Sequence, residues 1–266
     1  MQTRAEILFI AELAGEAERY DDVISQIKLI CDRFGGRLTG DERNLLSVAY
    51  KNSTNNLRAS WRIVDTLEKV QAARPSSTMK QLHLLRKQRN RIGQELSDVC
   101  KDIIHLLDDQ LLPFAKQGEE RVFYSKMKGD YFRYMSEFAQ DKDNRDQYAE
   151  ESLGAYKQAY KEALYNLDPV HPTRLGLALN FAVFYHGMPL FFVDGVKLLT
   201  LHPAPDVQKS PTRACHLAKN AFDDAVLTMH PPDADPEAAQ LRDSLQILQL
   251  LRDDLILWSK ELQDDE

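Results

Sequence analysis

Three basic side chains, Lys51, Arg58 and Arg62, are spaced so that the second and third lie seven and eleven residues beyond the first. At about 100° per residue this spacing sets them in one narrow stripe along a helix, together with Asn44 and Asn55. Guanidinium groups form paired, charge-assisted hydrogen bonds with phosphate, so the stripe has the chemistry of an anion site. The same spacing also fits a solvated helix face. A second set, Lys126, Asp130, Arg133 and Glu137, shares a helix face with Tyr134 beside it. Its alternation of sign reads as an i,i+4 ladder on a surface helix.

Little else in the chain could do covalent chemistry. The seven histidines contain no HExxH pairing, and three of them precede prolines at expected helix boundaries. There is no Gly-rich phosphate loop and no nucleophile elbow, so an enzyme is not expected. Cys31, Cys100 and Cys215 are isolated, which argues against a disulfide framework or a zinc site. No cofactor is called for. The net charge of −7 disfavours nucleic acid and anionic membranes as partners. The basic run Arg86-Lys87-Gln88-Arg89-Asn90-Arg91 lacks interleaved aromatics and reads as a solvated helix face. No stretch approaches the ~20 apolar residues that span a bilayer. The N-terminus lacks a signal-peptide layout, so the cytoplasm is the expected compartment, with the nucleus accessible.

The elements that must position these residues are helices. The 266 residues are 43% hydrophobic and 28% charged, with only 11 glycines and 11 prolines. Two short helices are expected near 3–14 and 20–34, the second ended by Gly35 and Gly36. Thr39 and Glu42 have capping-box spacing and open a long helix near 41–73. Its buried face is Leu46, Tyr50, Leu57, Trp61 and Val64. Further helices are expected near 79–112, 119–139, 145–167 and from His171-Pro172 to Tyr185. Ser210-Pro211 and Asp235-Pro236 open the last two, and Ile247, Leu250, Leu251, Leu257 and Trp258 make a broad apolar stripe on the final one.

Arg43-Asn44-Leu45-Leu46-Ser47-Val48-Ala49-Tyr50-Lys51-Asn52 resembles the first signature of the 14-3-3 family, helical dimers that bind phosphoserine and phosphothreonine motifs. Val122 to Tyr134 is similar to a second block of that family, and Thr173 to Tyr185 to a third. Leu250 to Trp258 resembles the core of its second signature. The resemblance implies an all-α fold of nine antiparallel helices around a concave groove, in a single 14-3-3-like domain over residues 1–266, forming a homo- or heterodimer. It implies a phosphate pocket of Lys51, Arg58, Arg133 and Tyr134. It implies a peptide groove of Lys126, Leu179, Asn180, Val183, Leu250, the residue at Asp254, Leu257 and Trp258. By itself Asn180 reads as a buried amide satisfying its own neighbours. At the dimer interface the matching positions suggest Arg19–Glu95 and Asp22–Arg91 pairs across a two-fold axis.

The chain departs from the family in several places, among them Ser53 where a small aliphatic residue is usual and Gln88 where a tyrosine is frequent. Residues 186–209 intervene where the family has a handful, and Asp194-Gly195 between two apolar runs is a hairpin signal. Asp254 stands where the family has asparagine, and an ionised aspartate can only accept a hydrogen bond. Gly187 replaces a family glutamate. A short acidic tail occupies 259–266. The expected function is a phosphoserine/phosphothreonine-dependent adaptor that regulates phosphorylated client proteins. The alternative is a helical scaffold of the same fold with reduced or lost phosphate dependence, which would bind partners whether or not they are phosphorylated.

Overall fold

The computed structural model describes residues 2–75, 78–187, 191–193, 196–198, 210–229 and 238–264. Among the described residues there are nine α-helices: α1 (Arg4–Glu16), α2 (Tyr20–Phe34), α3 (Gly40–Ala72), α4 (Met79–Leu106), α5 (Glu119–Phe138), α6 (Lys142–Asn166), α7 (Pro172–His186), α8 (Pro211–Thr228) and α9 (Ala238–Asp264). The described strands form a short antiparallel ribbon, β1 (Phe191–Val193) and β2 (Val196–Leu198), in which Phe191 pairs with Leu198 and Val193 with Val196. The ribbon flanks the Asp194-Gly195 hairpin signal. Those two residues, the rest of the expected insertion from 199 to 209, and the expected Asp235-Pro236 helix start lie outside the described residues.

The chain divides into two compact units, Met1–Ala115 with Phe138–Gln140, and Lys116–Glu137 with Asp141–Glu266. In the first, α1 packs on α2, α2 on α3 and α3 on α4. Three threonines cap these helices. Thr3, Thr39 and Thr78 each accept from a backbone N–H three residues on, while Glu6, Glu42 and Gln81 reach back to the cap N–H. Glu42 is buried, and its carboxylate also takes the Arg4 guanidinium at 2.8 Å, which ties α1 to α3. Burial pushes the Glu42 carboxyl up, but the bonds from Arg4 and Thr39 outweigh it and hold it below its ordinary value.

Leu46, Tyr50 and Trp61 of α3 are buried, with Leu57 and Val64 half-buried. The Tyr50 hydroxyl donates to Asp102 of α4 at 2.6 Å. Cys31 and Cys100 are buried free thiols, and burial pushes Cys31 up to about 11.

Two expectations need correction in this unit. The basic run of α4 is not simply solvated. Arg89 reaches Asp65 at 3.3 Å and Glu68 at 2.7 Å, and Arg86 reaches Glu68 at 2.8 Å. Both acids are buried on α3, and buried carboxylates require such partners. The α-helix of α4 also stops at Leu106 rather than near 112. A wider π-type turn, Leu107–Leu111, follows and buries Leu107 and Leu111. A 3₁₀ turn, Leu112–Phe114, then carries Pro113, whose missing N–H cannot continue a helix.

In the second unit α7 packs on α6, α8 and α9, and α8 packs on α9. Helix α6 starts at Lys142, earlier than expected, because Asp141 caps it by accepting from Asn144 N. Ser210 caps α8, and its own N–H donates to the Tyr185 carbonyl at 2.8 Å. One core cluster gathers Val122, Tyr156, Ala159, Ala163, Leu177, Phe181 and Phe184. The other gathers Leu175, Ala182, Leu248, Leu251 and Trp258 against the buried alanines Ala214, Ala218 and Ala225, whose small side chains let α8 approach closely. Gly187 ends α7 with a φ of 72°, a left-handed conformation that glycine adopts without strain. His186, expected to begin the insertion, is thus the last residue of α7. Helix α9 runs through the expected acidic tail as far as Asp264.

Candidate functional site

The charged ladder of α5 is an interior network rather than a surface one. Asp130 is 7% exposed, and donors from three helices converge on its carboxylate. Lys126 Nζ donates to Oδ2 at 2.8 Å. On Oδ1, the Tyr156 hydroxyl of α6 donates, the Asn180 amide of α7 donates at 2.8 Å, and the Arg133 guanidinium lies at 3.7 Å. Burial alone would push the Asp130 carboxyl up. The charges of Lys126 and Arg133 and the bonds from Lys126 and Tyr156 win, and it is held below the ordinary carboxylate range.

Arg133 is fixed on several sides. Its Nη1 donates to Glu137 at 3.1 Å, its Nε donates to the Tyr156 hydroxyl at 3.3 Å, and its guanidinium lies 4.8 Å from the centre of the Tyr134 ring. Burial disfavours its charge, but Tyr156, Tyr134, Glu137 and Asp130 together raise its pKa well above the ordinary value, so it is a permanent cation. Burial also pushes the Tyr156 hydroxyl well up, reinforced by Asp130, which keeps it a hydrogen-bond donor. The approach of α5 to α6 depends on Gly129. A Cβ there would sit 2.9 Å from the Tyr156 ring, while the Gly129 carbonyl accepts from Ser152 at 2.8 Å.

The second unit thus brings Lys126, Arg133, Tyr134 and Asn180 together around Asp130 and Tyr156. Leu179 and Val183 flank Asn180 on α7 and are half-buried. Leu257 packs with them against the second core cluster. Trp258 lies behind them, fully buried and stacked on His186 with ring centroids 4.7 Å apart. Leu250 is 53% exposed and stands outside that cluster. Asp254 is half-buried on α9.

Lys51 and Arg58 belong to the first unit, two turns apart on α3, or about 10 Å along the helix axis. The stripe is graded rather than uniformly solvated. Lys51 is exposed, Arg62 is half-buried and Arg58 is buried at 6% exposure. The expected interface residues are exposed, and each is paired within its own helix region, Arg19 with Asp22 and Arg91 with Glu95 at 3.2 Å.

A model of the 14-3-3 protein family matches residues 10–191. A 14-3-3-like protein of Chlamydomonas reinhardtii is 44% identical over 262 residues, covering 98% of this chain and 91% of the relative. Protein BMH2 of Saccharomyces cerevisiae is 43% identical over 263 residues, 99% of this chain and 87% of the relative. 14-3-3 protein epsilon of Drosophila melanogaster is 43% identical over 266 residues, 100% of this chain and 91% of the relative. This chain belongs to the 14-3-3 family. As a 14-3-3 protein it is a phosphoprotein-binding adaptor and regulator that acts through protein partners, and the family's members are adaptors rather than enzymes. No helix among its described residues is long and apolar enough to cross a membrane.

The 14-3-3 blocks contain Lys126, Arg133 and Asn180 but carry no mark of what holds these side chains in place. Asp130 was visible only as one rung of a ladder. Tyr156 carried no local mark that sets it apart from Tyr148 or Tyr160 on α6. Its role exists only because α5 and α6 meet at Gly129.

Proposed function

We propose that this 14-3-3 protein binds clients phosphorylated on serine or threonine, as a homo- or heterodimer in the cytoplasm, without catalysing a reaction. Lys51, Arg58 and Arg133 supply positive charge to the phosphoryl group, and Tyr134 donates its hydroxyl. Lys126 and Asn180 hold the peptide backbone, and Leu179, Val183, Leu250 and Leu257 form the apolar wall, with Trp258 supporting it from the core. Asp254 adds an acceptor at the end of the groove that takes residues upstream of the phosphate. Across the two-fold axis Arg19 pairs with Glu95 and Asp22 with Arg91.

The observation that carries this reading is the state of Arg133. It is a guanidinium held by Glu137 at 3.1 Å and by the Tyr156 hydroxyl, beside the Tyr134 ring. A cation already fixed by packing and hydrogen bonds loses little freedom when an anion arrives. A phosphoryl group brings about −1.5 to −2 charges at pH 7, so such a cation separates phosphorylated from unmodified peptide by charge as well as by fit. A dimer presenting two such sites gains further from a doubly phosphorylated client through effective concentration.

Fluorescence anisotropy with a labelled phosphoserine peptide and its unphosphorylated twin tests this, on the wild type and on Lys51→Glu. Phosphate-dependent binding that Lys51→Glu abolishes is the expected result. Equal binding of both peptides would return the chain to the phosphate-indifferent scaffold.

A further inference from the structure

Asn55 is the member of the α3 stripe that lies between Lys51 and Arg58 and has no part in the pocket described so far. It is exposed, four residues after Lys51 and three before Arg58. The side chains of Asn55 and Lys51 make no hydrogen bond or ion pair with another described residue. One reading is a solvated amide. Asparagine is less favourable than alanine inside a helix, however, so the stability of α3 does not call for it there.

Its position is more specific than its exposure. Side chains three and four residues apart on a helix are neighbours, so Asn55 adjoins both Lys51 and Arg58. Those two are not neighbours of each other, being about 10 Å apart along the axis. A single phosphoryl group touches both only if it lies over the turn between them. Helical side chains lean toward the N-terminus, which carries Arg58 back over that same turn. The residue of that turn on the stripe is Asn55, about 40° around the helix from Lys51.

The turn is also fixed from its inner side. Thr54 is fully buried, and its hydroxyl donates to the Tyr50 carbonyl at 2.7 Å. Tyr50 in turn donates to Asp102 of α4 at 2.6 Å. No acidic residue occurs between Lys51 and Arg62, so the face presents donors and no carboxylate that competes with an anion.

We propose that Asn55 is a further phosphoryl-binding residue, whose side-chain NH2 donates to an oxygen of the phosphoryl group held between Lys51 and Arg58. This rests on the phosphopeptide reading of the same site. The amide is neutral, so it adds a directional bond and no long-range attraction. An unmodified serine lacks the phosphoryl oxygens and gains nothing from it.

Fluorescence anisotropy tests this at low and at high salt. The probe is a labelled phosphoserine peptide selected on the wild-type protein from a degenerate phosphoserine library, together with its unphosphorylated twin. Asn55→Ala is expected to weaken binding of the phosphorylated peptide about three- to tenfold, the worth of one hydrogen bond, and by the same factor at both salts. Asn56→Ala is the control. Asn56 is the same residue type and also exposed, but it lies about 140° around the helix from Lys51, and its loss should leave binding unchanged.

Circular dichroism establishes that both variants fold, as alanine in an exposed helix position should allow. Wild-type affinity in Asn55→Ala, or equal weakening by Asn56→Ala, overturns the proposal while leaving phosphopeptide binding standing. So does a loss in Asn55→Ala that fades at high salt, which is the behaviour of a screened charge rather than of a neutral donor. A wild type that binds the phosphorylated peptide and its twin alike overturns both readings.

Discussion

His186 lies flat on Trp258, with ring centroids 4.7 Å apart and planes 15° from parallel. Its Nε2 meets Glu261 at 3.0 Å, so the last residue of α7 stacks on one residue of α9 and hydrogen-bonds another. Both rings are buried. The side chain where the expected insertion begins is therefore part of the core that supports the proposed peptide wall. His186→Ala should remove the stack and the bond to Glu261 and destabilise the protein by about 1–3 kcal/mol. Urea unfolding followed by tryptophan fluorescence checks this. An unchanged midpoint would mean that the α7 end is not coupled to α9 in solution.

Gly129 has no room for a side chain. An added Cβ would stand 2.9 Å from the Tyr156 ring, and the ring is walled in by Phe181 and Phe184 with centroids at 5.3 and 5.6 Å. Gly129→Ala should cost about 1–3 kcal/mol through overpacking, although alanine is the better helix former. The same shift should move Tyr156 off Asp130 and weaken phosphopeptide binding, so thermal unfolding and anisotropy should both respond.

Acid should loosen the start of α7. His171 caps that helix by accepting from Thr173 N at 3.2 Å through Nδ1, a bond that only the neutral ring can make. Burial lowers the His171 pKa below its ordinary value, with Glu119 and Asp168 opposing. A group whose folded pKa is depressed contributes stability that is present above the unfolded value and lost as pH falls through the folded one. The loss is therefore expected on going from about pH 7 toward about pH 5. His171→Asn supplies a cap that does not titrate in this range. The urea midpoint of the wild type should fall relative to that variant as the pH drops, and a constant difference would show that His171 does not cap the helix in solution.

The proposed dimer makes a charge-swap prediction. Arg19, Asp22, Arg91 and Glu95 are 46–69% exposed and satisfied within their own helix regions. Exchanging these local pairs for intersubunit ones gains little per pair, about 0–1 kcal/mol, but each pair occurs twice across a two-fold axis. Arg19→Glu should weaken dimerisation about tenfold by adding repulsion against Glu95, and adding Glu95→Arg should restore it. Sedimentation velocity over a concentration series reads both changes. Equal weakening in the single and double variants would show that Arg19 and Glu95 do not pair, and no weakening in either would place the interface elsewhere.

Much of this molecule follows from local pattern. Thr39 with Glu42, Ser210 with Pro211 and His171 with Pro172 mark helix starts, because capping groups and prolines act within one turn of chain. The periodicity of Leu46, Tyr50 and Trp61 identifies the buried face of α3, because burial on a helix repeats with its pitch. The basic and aromatic residues of the family blocks are legible in the same way, as short runs of side chains. What neighbouring residues cannot show is which charges are buried. Lys126-to-Glu137 and Arg86-to-Arg91 have the spacing of solvated faces. Asp130 becomes a hub only when Tyr156 and Asn180 arrive from 26 and 50 residues away, and Arg89 becomes an internal cation only against Asp65 and Glu68. Local chemistry decided where helices begin and which side chains could bind an anion. Desolvation, which depends on what packs on top, decided which of them are buried and held by partners.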